Sequence, residues 1–222
     1  VDTAVGGIKW RDMRNGLTVP PKITLKTFLD MALKPKWWFN LLTTAPLEFA
    51  TFRNFNKPLS EIAATVFDPA VTFADVKWLR SVWKGKLIIK GVQTVEDAKQ
   101  LAKIGVDAII LSNHGGRQLD RAPVPLLLLP EVRKKIGKKA ELHMDTGIMH
   151  GADIVAALAN GANFTWIGRA YLYGLMAGGR DGVDRTIEIL NTQIYRTMKL
   201  LGVKSVSDLN PSHVRTINRF AK

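Results

Sequence analysis

The chain has 222 residues, 46% hydrophobic and 23% charged, ordinary proportions for a globular protein long enough to bury a core. No apolar run reaches the ~18 to 20 residues of a spanning helix, and the absence of cysteine excludes disulfides, thiolate metal sites and a Cys nucleophile. The formal net charge of +13 admits nucleic acid, an anionic membrane or an anionic substrate. The basic residues are dispersed, however, without zinc-finger spacing or an aromatic-rich basic motif, so a solvated basic surface is the preferred reading and nucleic acid a minor one. Val1 to Gly7 shows no basic leader before an apolar stretch, so no secretory signal is expected. A reducing compartment such as the cytoplasm is compatible with the missing cysteines.

In chain order, residues 1–3 read as the end of a strand. Residues 15–76 show no strand–helix alternation; they hold Pro20-Pro21, a helical stretch Leu25 to Leu33 and the aromatic cluster Trp37-Trp38-Phe39, and read as a long, partly helical excursion of the kind that is usually functional or mobile. From residue 86 apolar strands alternate with helices: strand Leu87 to Gly91, helix Val95 to Ile104, strand Ala108 to Ser112, helix Pro130 to Ile136, strand Glu141 to Asp145, helix Gly151 to Asn160, strand Phe164 to Gly168. A periodic helix Val183 to Leu201 follows, and Ser207 or Asp208 is expected to cap a short final turn. This alternation predicts a parallel sheet covered by helices.

Asp97 to Ser112 (DAKQLAKIGVDAIILS) also echoes Asp153 to Gly168 (DIVAALANGANFTWIG). A repeated βα unit, with no GxGxxG after a first strand, points to an α/β (β/α)8 TIM barrel rather than a doubly wound sheet. A full barrel takes ~250 residues, yet the strands after residue 86 amount to half of one.

Barrel enzymes carry their chemistry at the C-terminal ends of the strands. Here those ends read Asp2, then Lys90, then Ser112 to Arg117 (SNHGGR), then Asp145-Thr146-Gly147, then Gly168-Arg169. Each has a plainer reading: Asp145 as a turn former, Arg169 as a surface cation, Asp2 as a frayed terminus. Lys90 inside an apolar strand is costly unless paired or functional, and His114 beside Gly-Gly is placed on a loop. His143, His150 and His213 read as structural. The Asn163-Phe164-Thr165 glycosylation pattern opens a buried strand and is dismissed.

The run SNHGGRQLD resembles the signature of the FMN-dependent α-hydroxy-acid dehydrogenase and oxidase family. VDTAV…RDMRNG, IIKGV, DTGI…GADIVAALANGA and IGRAYLYGL match that family in order and spacing, from Val1 to about His213. The likeness is closest to the bacterial quinone-dependent L-lactate dehydrogenase branch. It implies the C-terminal half of one FMN-binding barrel, from the end of strand 4 through strand 8 and the final helices, with 15–76 lying over the active site. The first three βα units and most of the fourth strand have no counterpart here.

The resemblance implies oxidation of an L-2-hydroxy acid, L-lactate to pyruvate, with electrons passed from flavin to a quinone or another acceptor. His114 is then the base and Asp2 the residue that orients it. Arg117 and Lys9 bind the substrate carboxylate. Lys90, Ser112 and Asp145 contact the flavin and its ribityl chain, while Gly147, Gly168 and Arg169 hold the phosphate. Two positions depart from the family pattern: Lys9 stands where an arginine is usual, as does Met149 on the phosphate loop. A homo-oligomer is implied for the full-length form, located in the cytoplasm or peripherally on the inner membrane face, where Trp37-Trp38-Phe39 flanked by Lys34, Lys36 and Arg53 suits a lipid surface. The competing readings are a non-catalytic half-barrel acting as a structural module, and an oxidase that uses O2.

Overall fold

The computed structural model describes residues 10–16, 24–45, 70–215 and 217. The chain divides into two compact units, Gly7–Ala70 and the remainder. Within the first unit lie α1 (Trp10–Arg14), α2 (Leu25–Ala32) and α3 (Pro35–Thr43). Thr24 caps α2 by accepting from Thr27 N (3.2 Å), and Pro35 opens α3, where the missing N–H costs nothing. The expected helix at 25–33 is therefore present one residue shorter.

The second unit contains α4 (Phe73–Val82), β1 (Ile88–Val92), α5 (Val95–Ile104), β2 (Ala108–Leu111), α6 (Pro125–Ile136), β3 (Glu141–Met144), α7 (Gly151–Ala159), β4 (Phe164–Thr165) and α8 (Arg169–Leu200). All three strand pairings are parallel, in the order β1-β2-β3-β4. Register runs Ile89 to Ile109 to Leu142, and His143 to Phe164. Four parallel strands in sequence order with helical crossovers form half of a (β/α)8 barrel. β4 is shorter than the expected 164–168, although Trp166 N still bonds Met144 O (2.9 Å).

The core lies between the sheet and its helices. Residues of β2 are buried on both faces, and Ile109, Leu111 and Leu142 are fully enclosed. Against them α5 turns Val95, Ala98, Leu101 and Ala102, a stripe at helical spacing. In α6 the stripe is Pro125, Leu129, Val132 and Ile136. It begins five residues before the expected start at Pro130, because burial of Pro125 and Leu129 outweighs the one backbone bond that Pro130 removes on the exposed side. Each enclosed Leu or Ile contributes ~1.5 to 3 kcal/mol.

The last helix also starts earlier than the expected Val183. α8 is two helices folded back at Gly178-Gly179, where Gly179 adopts φ 60 and ψ −136. A Cβ on Gly182 would lie 1.9 Å from Gly174 O, so only glycine permits this close crossing. At the C-terminal turns the caps are Ser205 and Asn210; Asp208 instead reaches back to Ser205 N (3.2 Å).

The sequence echo has a structural counterpart at the opposite end of the sheet from the candidate site. Asp107, before β2, accepts from Leu87 N through Oδ2 (2.9 Å); Asn163, before β4, accepts from Leu142 N through Oδ1 (2.9 Å). An arginine from a preceding helix joins each: Arg80 donates to Asp107 (3.0 Å) and Arg133 to Asn163. Asn163 is thus engaged in strand alignment. The histidines read as structural are in local bonds: His143 with Glu141 and Trp166, His150 as the α7 cap, His213 as the acceptor of Asn210 N.

Candidate functional site

Three consecutive strand ends converge on one amine. Lys90, near the end of β1, precedes a register shift between residues 90 and 92, and Gly91 takes φ 93 there. Its Nζ lies 3.1 Å from Ser112 Oγ and 3.2 Å from Asp145 Oδ2. Ser112 follows β2 and is wholly buried, while the Asp145 side chain, just beyond β3, is 17% exposed. A lysine set in apolar strand surroundings thereby gains a carboxylate and a hydroxyl, which offsets its desolvation.

The residues after Ser112 form a left-handed turn: His114, Gly115 and Gly116 have φ 57, 67 and 70. Such a turn directs successive N–H groups away from ladder partners, and a different side-chain oxygen meets each one. Ser112 Oγ accepts from His114 N (3.1 Å), Thr146 Oγ1 from Gly115 N (3.3 Å) and Asn113 Oδ1 from Gly116 N (3.0 Å). Arg169 donates to Gly115 O (2.8 Å) from the first turn of α8. At Gly115 an L-residue would be held at φ 67, which favours glycine, and its Cβ would stand 2.8 Å from the movable end of the Arg169 side chain. Arg117 ends the turn and is exposed.

The two helix N-termini beside the site differ. At α7, Gly151 N donates to Gln193 Oε1 (2.8 Å), Ala152 N to His150 Nδ1 (3.0 Å), and Met149 N and His150 N to Asp153 Oδ2 (3.0 and 2.8 Å). Its amides are thus engaged within the chain. At α8 the cap residue is Gly168, and among the described residues no side chain caps the helix. Gly147 and Gly168 both have nothing within 4 Å of an added Cβ. A helix start at Gly168 with no side-chain cap among the described residues, and with Arg169 at its first position, fits an anionic phosphate. Lys90 fits a group that becomes negatively charged on reduction. These residues suit a phosphorylated flavin.

Among the expected site residues, Lys90, Ser112, Asp145, the His114 turn and Arg169 are brought together, and Gly147 and Gly168 adjoin them. Asp2 and Lys9 lie outside the described residues. Asn113 and Thr146 stood inside quoted motifs without a role. A hint for Asn113 was its spacing to Gly116, a common side-chain-to-backbone turn; nothing local marked Thr146.

The FMN-dependent dehydrogenase family model matches residues 1–216. A Mycobacterium tuberculosis protein carrying a provisional L-lactate dehydrogenase name is 57% identical over 220 residues, 99% of this chain and 53% of that protein. A 2-hydroxyacid oxidase of Dictyostelium discoideum is 35% identical over 222 residues, 100% of this chain and 52% of that protein. The solved structure of (S)-mandelate dehydrogenase, described as a monotopic membrane protein, superposes with a TM-score of 0.90 at 35% identity, covering 97% of this chain and 58% of that one. The chain therefore spans about half the length of the relatives it matches. With four parallel strands carrying the SNHGGR turn, the Lys90 cluster and the uncapped α8 start at one end, and a family match over nearly its whole length, this chain belongs to the FMN-dependent dehydrogenase family.

Proposed function

We propose that the chain supplies half of the active site of an FMN-dependent L-2-hydroxy-acid dehydrogenase that converts L-lactate to pyruvate and delivers electrons to a quinone. The observation that carries this is the convergence of Lys90, Ser112 and Asp145 beside the side-chain-held His114 turn. The oxidation removes a proton and the equivalent of a hydride from the substrate, and FMN when bound would supply the acceptor for the hydride equivalent. His114 takes the proton as an imidazole general base. Arg117 offers two parallel N–H donors to the carboxylate, and Lys9 adds positive charge. Lys90 stabilises charge on the reduced ring, while Gly147, Gly168 and Arg169 hold the phosphate. Asp2 orients His114.

The test is His114→Ala in the full-length, flavin-loaded protein, followed by stopped-flow flavin reduction with L-lactate. Loss of the base lowers the rate by at least ~10² with flavin retained; an unaltered rate overturns the assignment.

A membrane-facing role for α2 and α3 is favoured by their surface. Leu25, Leu33 and Leu42 are each at least three-quarters exposed, and Trp37, Trp38 and Phe39 are exposed beside Lys34 and Lys36. Short helices with exposed apolar and basic residues suit the interfacial plane of an anionic bilayer. Among the described residues no helix is long and apolar enough to cross one. Co-sedimentation with phosphatidylglycerol vesicles that survives Trp37→Ser/Trp38→Ser unchanged rejects this role.

A further inference from the structure

We infer that Thr146 is a positioning residue for His114, acting from the far side of the sheet end through Asn113 and the Gly115 amide. The inference rests on the reading of His114 as the base, and the structure supplies three independent reasons for it.

The first is conformational. Thr146 has φ 75, a left-handed backbone that β-branched residues rarely adopt. Asp145 before it and Gly147 after it serve the candidate site, so glycine at 146 would relieve the strain at no steric cost. A threonine retained in this conformation points to a use for its side chain.

The second is the hydrogen bonding. Thr146 Oγ1 accepts from Gly115 N (3.3 Å) and lies 3.0 Å from Asn113 Oδ1 and 2.9 Å from Asp145 Oδ1. Asn113 Oδ1 in turn accepts from Gly116 N (3.0 Å), and its Nδ2 donates to Pro123 O (3.1 Å). The hydroxyl has one proton, shared between two carbonyl-type oxygens, and it receives a third group. It therefore ties the turn after β3 to the turn after β2.

The third is where this tie leads. Asp145 is the carboxylate paired with Lys90. The same oxygen atom of Thr146 thus touches the residue beside the flavin-facing cation and the backbone of the residue following the base. His114 occupies φ 57, a conformation with little intrinsic preference, and the bonds to the amides of 114–116 hold the backbone from which its ring projects.

The experiment uses Thr146→Gly, Thr146→Val and Thr146→Ser in the full-length, flavin-loaded protein, with hydrogen-exchange mass spectrometry on peptides spanning residues 112–118 and thermal unfolding in parallel. Thr146→Gly relaxes the backbone but removes the hydroxyl. It is expected to speed exchange in this segment at least ~10-fold without lowering the unfolding midpoint, a combination that a purely structural role does not produce. Thr146→Val speeds exchange as well, and Thr146→Ser restores protection. In the flavin-loaded protein the glycine variant lowers kcat about tenfold with KM held, and the serine variant recovers it. Exchange at 112–118 unchanged in both hydroxyl-less variants, or raised only in proportion to global destabilisation, overturns the inference. So does full kcat in Thr146→Gly when His114→Ala is inactive. Failure of the base assignment is distinct: His114→Ala then turns over normally, while the exchange pattern still supports the tie.

Discussion

Lys90 Nζ lies 3.2 Å from Asp145 Oδ2 although β2 runs between the strands that carry them. Ser112, at the end of that middle strand, bridges the gap by accepting from Lys90 at 3.1 Å. The geometry makes the cation and the carboxylate one unit. Lys90→Met leaves the mostly buried carboxylate without its partner and is expected to cost about 1 to 2 kcal/mol. Adding Asp145→Asn recovers part of that loss. Urea unfolding of the two single variants and the double variant reads the coupling, and strict additivity would show that the pair is not energetically joined.

Arg117 closes the His114 turn with its guanidinium exposed. Arg117→Lys keeps the charge and loses the planar fork. Steady-state kinetics of the flavin-loaded protein should show a raised KM for L-lactate and a slower flavin reduction. Kinetics matching the parent protein remove Arg117 from the site. The converse change Lys9→Arg is expected to be neutral or to lower KM; a large loss would mean that Lys9 has another role.

Asp107 supplies a pH-dependent element remote from the chemistry. The hydrogen bond from Lys86, followed by the one from the Leu87 amide, lowers its pKa from 3.8 to about 2. A depressed folded-state value means its stabilising contribution is complete above the unfolded pKa and fades as pH falls from about 4 towards 2. Asp107→Asn keeps an oxygen for Leu87 N, as Asn163 does for Leu142, and loses the ion pairs with Lys86 and Arg80. Urea midpoints between pH 6 and pH 2.5 should fall less steeply in this variant than in the parent. Equal slopes would assign the acid sensitivity elsewhere.

The sheet face turned away from the helices carries apolar side chains at both flanks: Ile88 is 43% exposed, Phe164 52% and Trp166 42%. Among the described residues β1 and β4 each pair on one side only. Barrel interiors are filled in layers by alternate strands, so four strands leave each layer half built. The 222-residue chain on its own is expected to self-associate through open edges and to bind FMN weakly, without lactate-dependent dye reduction. Fluorescence titration and light scattering check this. A monomer with sub-micromolar FMN affinity and turnover would show that four strands suffice.

The sequence alone determined the alternation of strands and helices after residue 86, because period and burial are local signals that single elements cannot evade. Val95 to Ile104 was legible to the residue, since Thr94 and Gly105 bracket it with a cap and a left-handed stop. The placement of Lys90, Ser112, His114, Asp145 and Arg169 at the strand ends was legible as well, since each stands where an apolar run ends. Other features depended on contacts between distant segments. Pro130 looked like a helix start, yet α6 begins at Pro125 because the sheet buries Leu129. The fold-back within α8 needed the backbone of Gly182 against Gly174. The Thr146 tie was beyond reach for the same reason. Its bonds to Asn113 and Gly115, 33 and 31 residues away, exist only once β2 and β3 lie side by side. Local pattern decides which elements form and which residues end them; parallel pairing across long crossovers decides which of those ends meet.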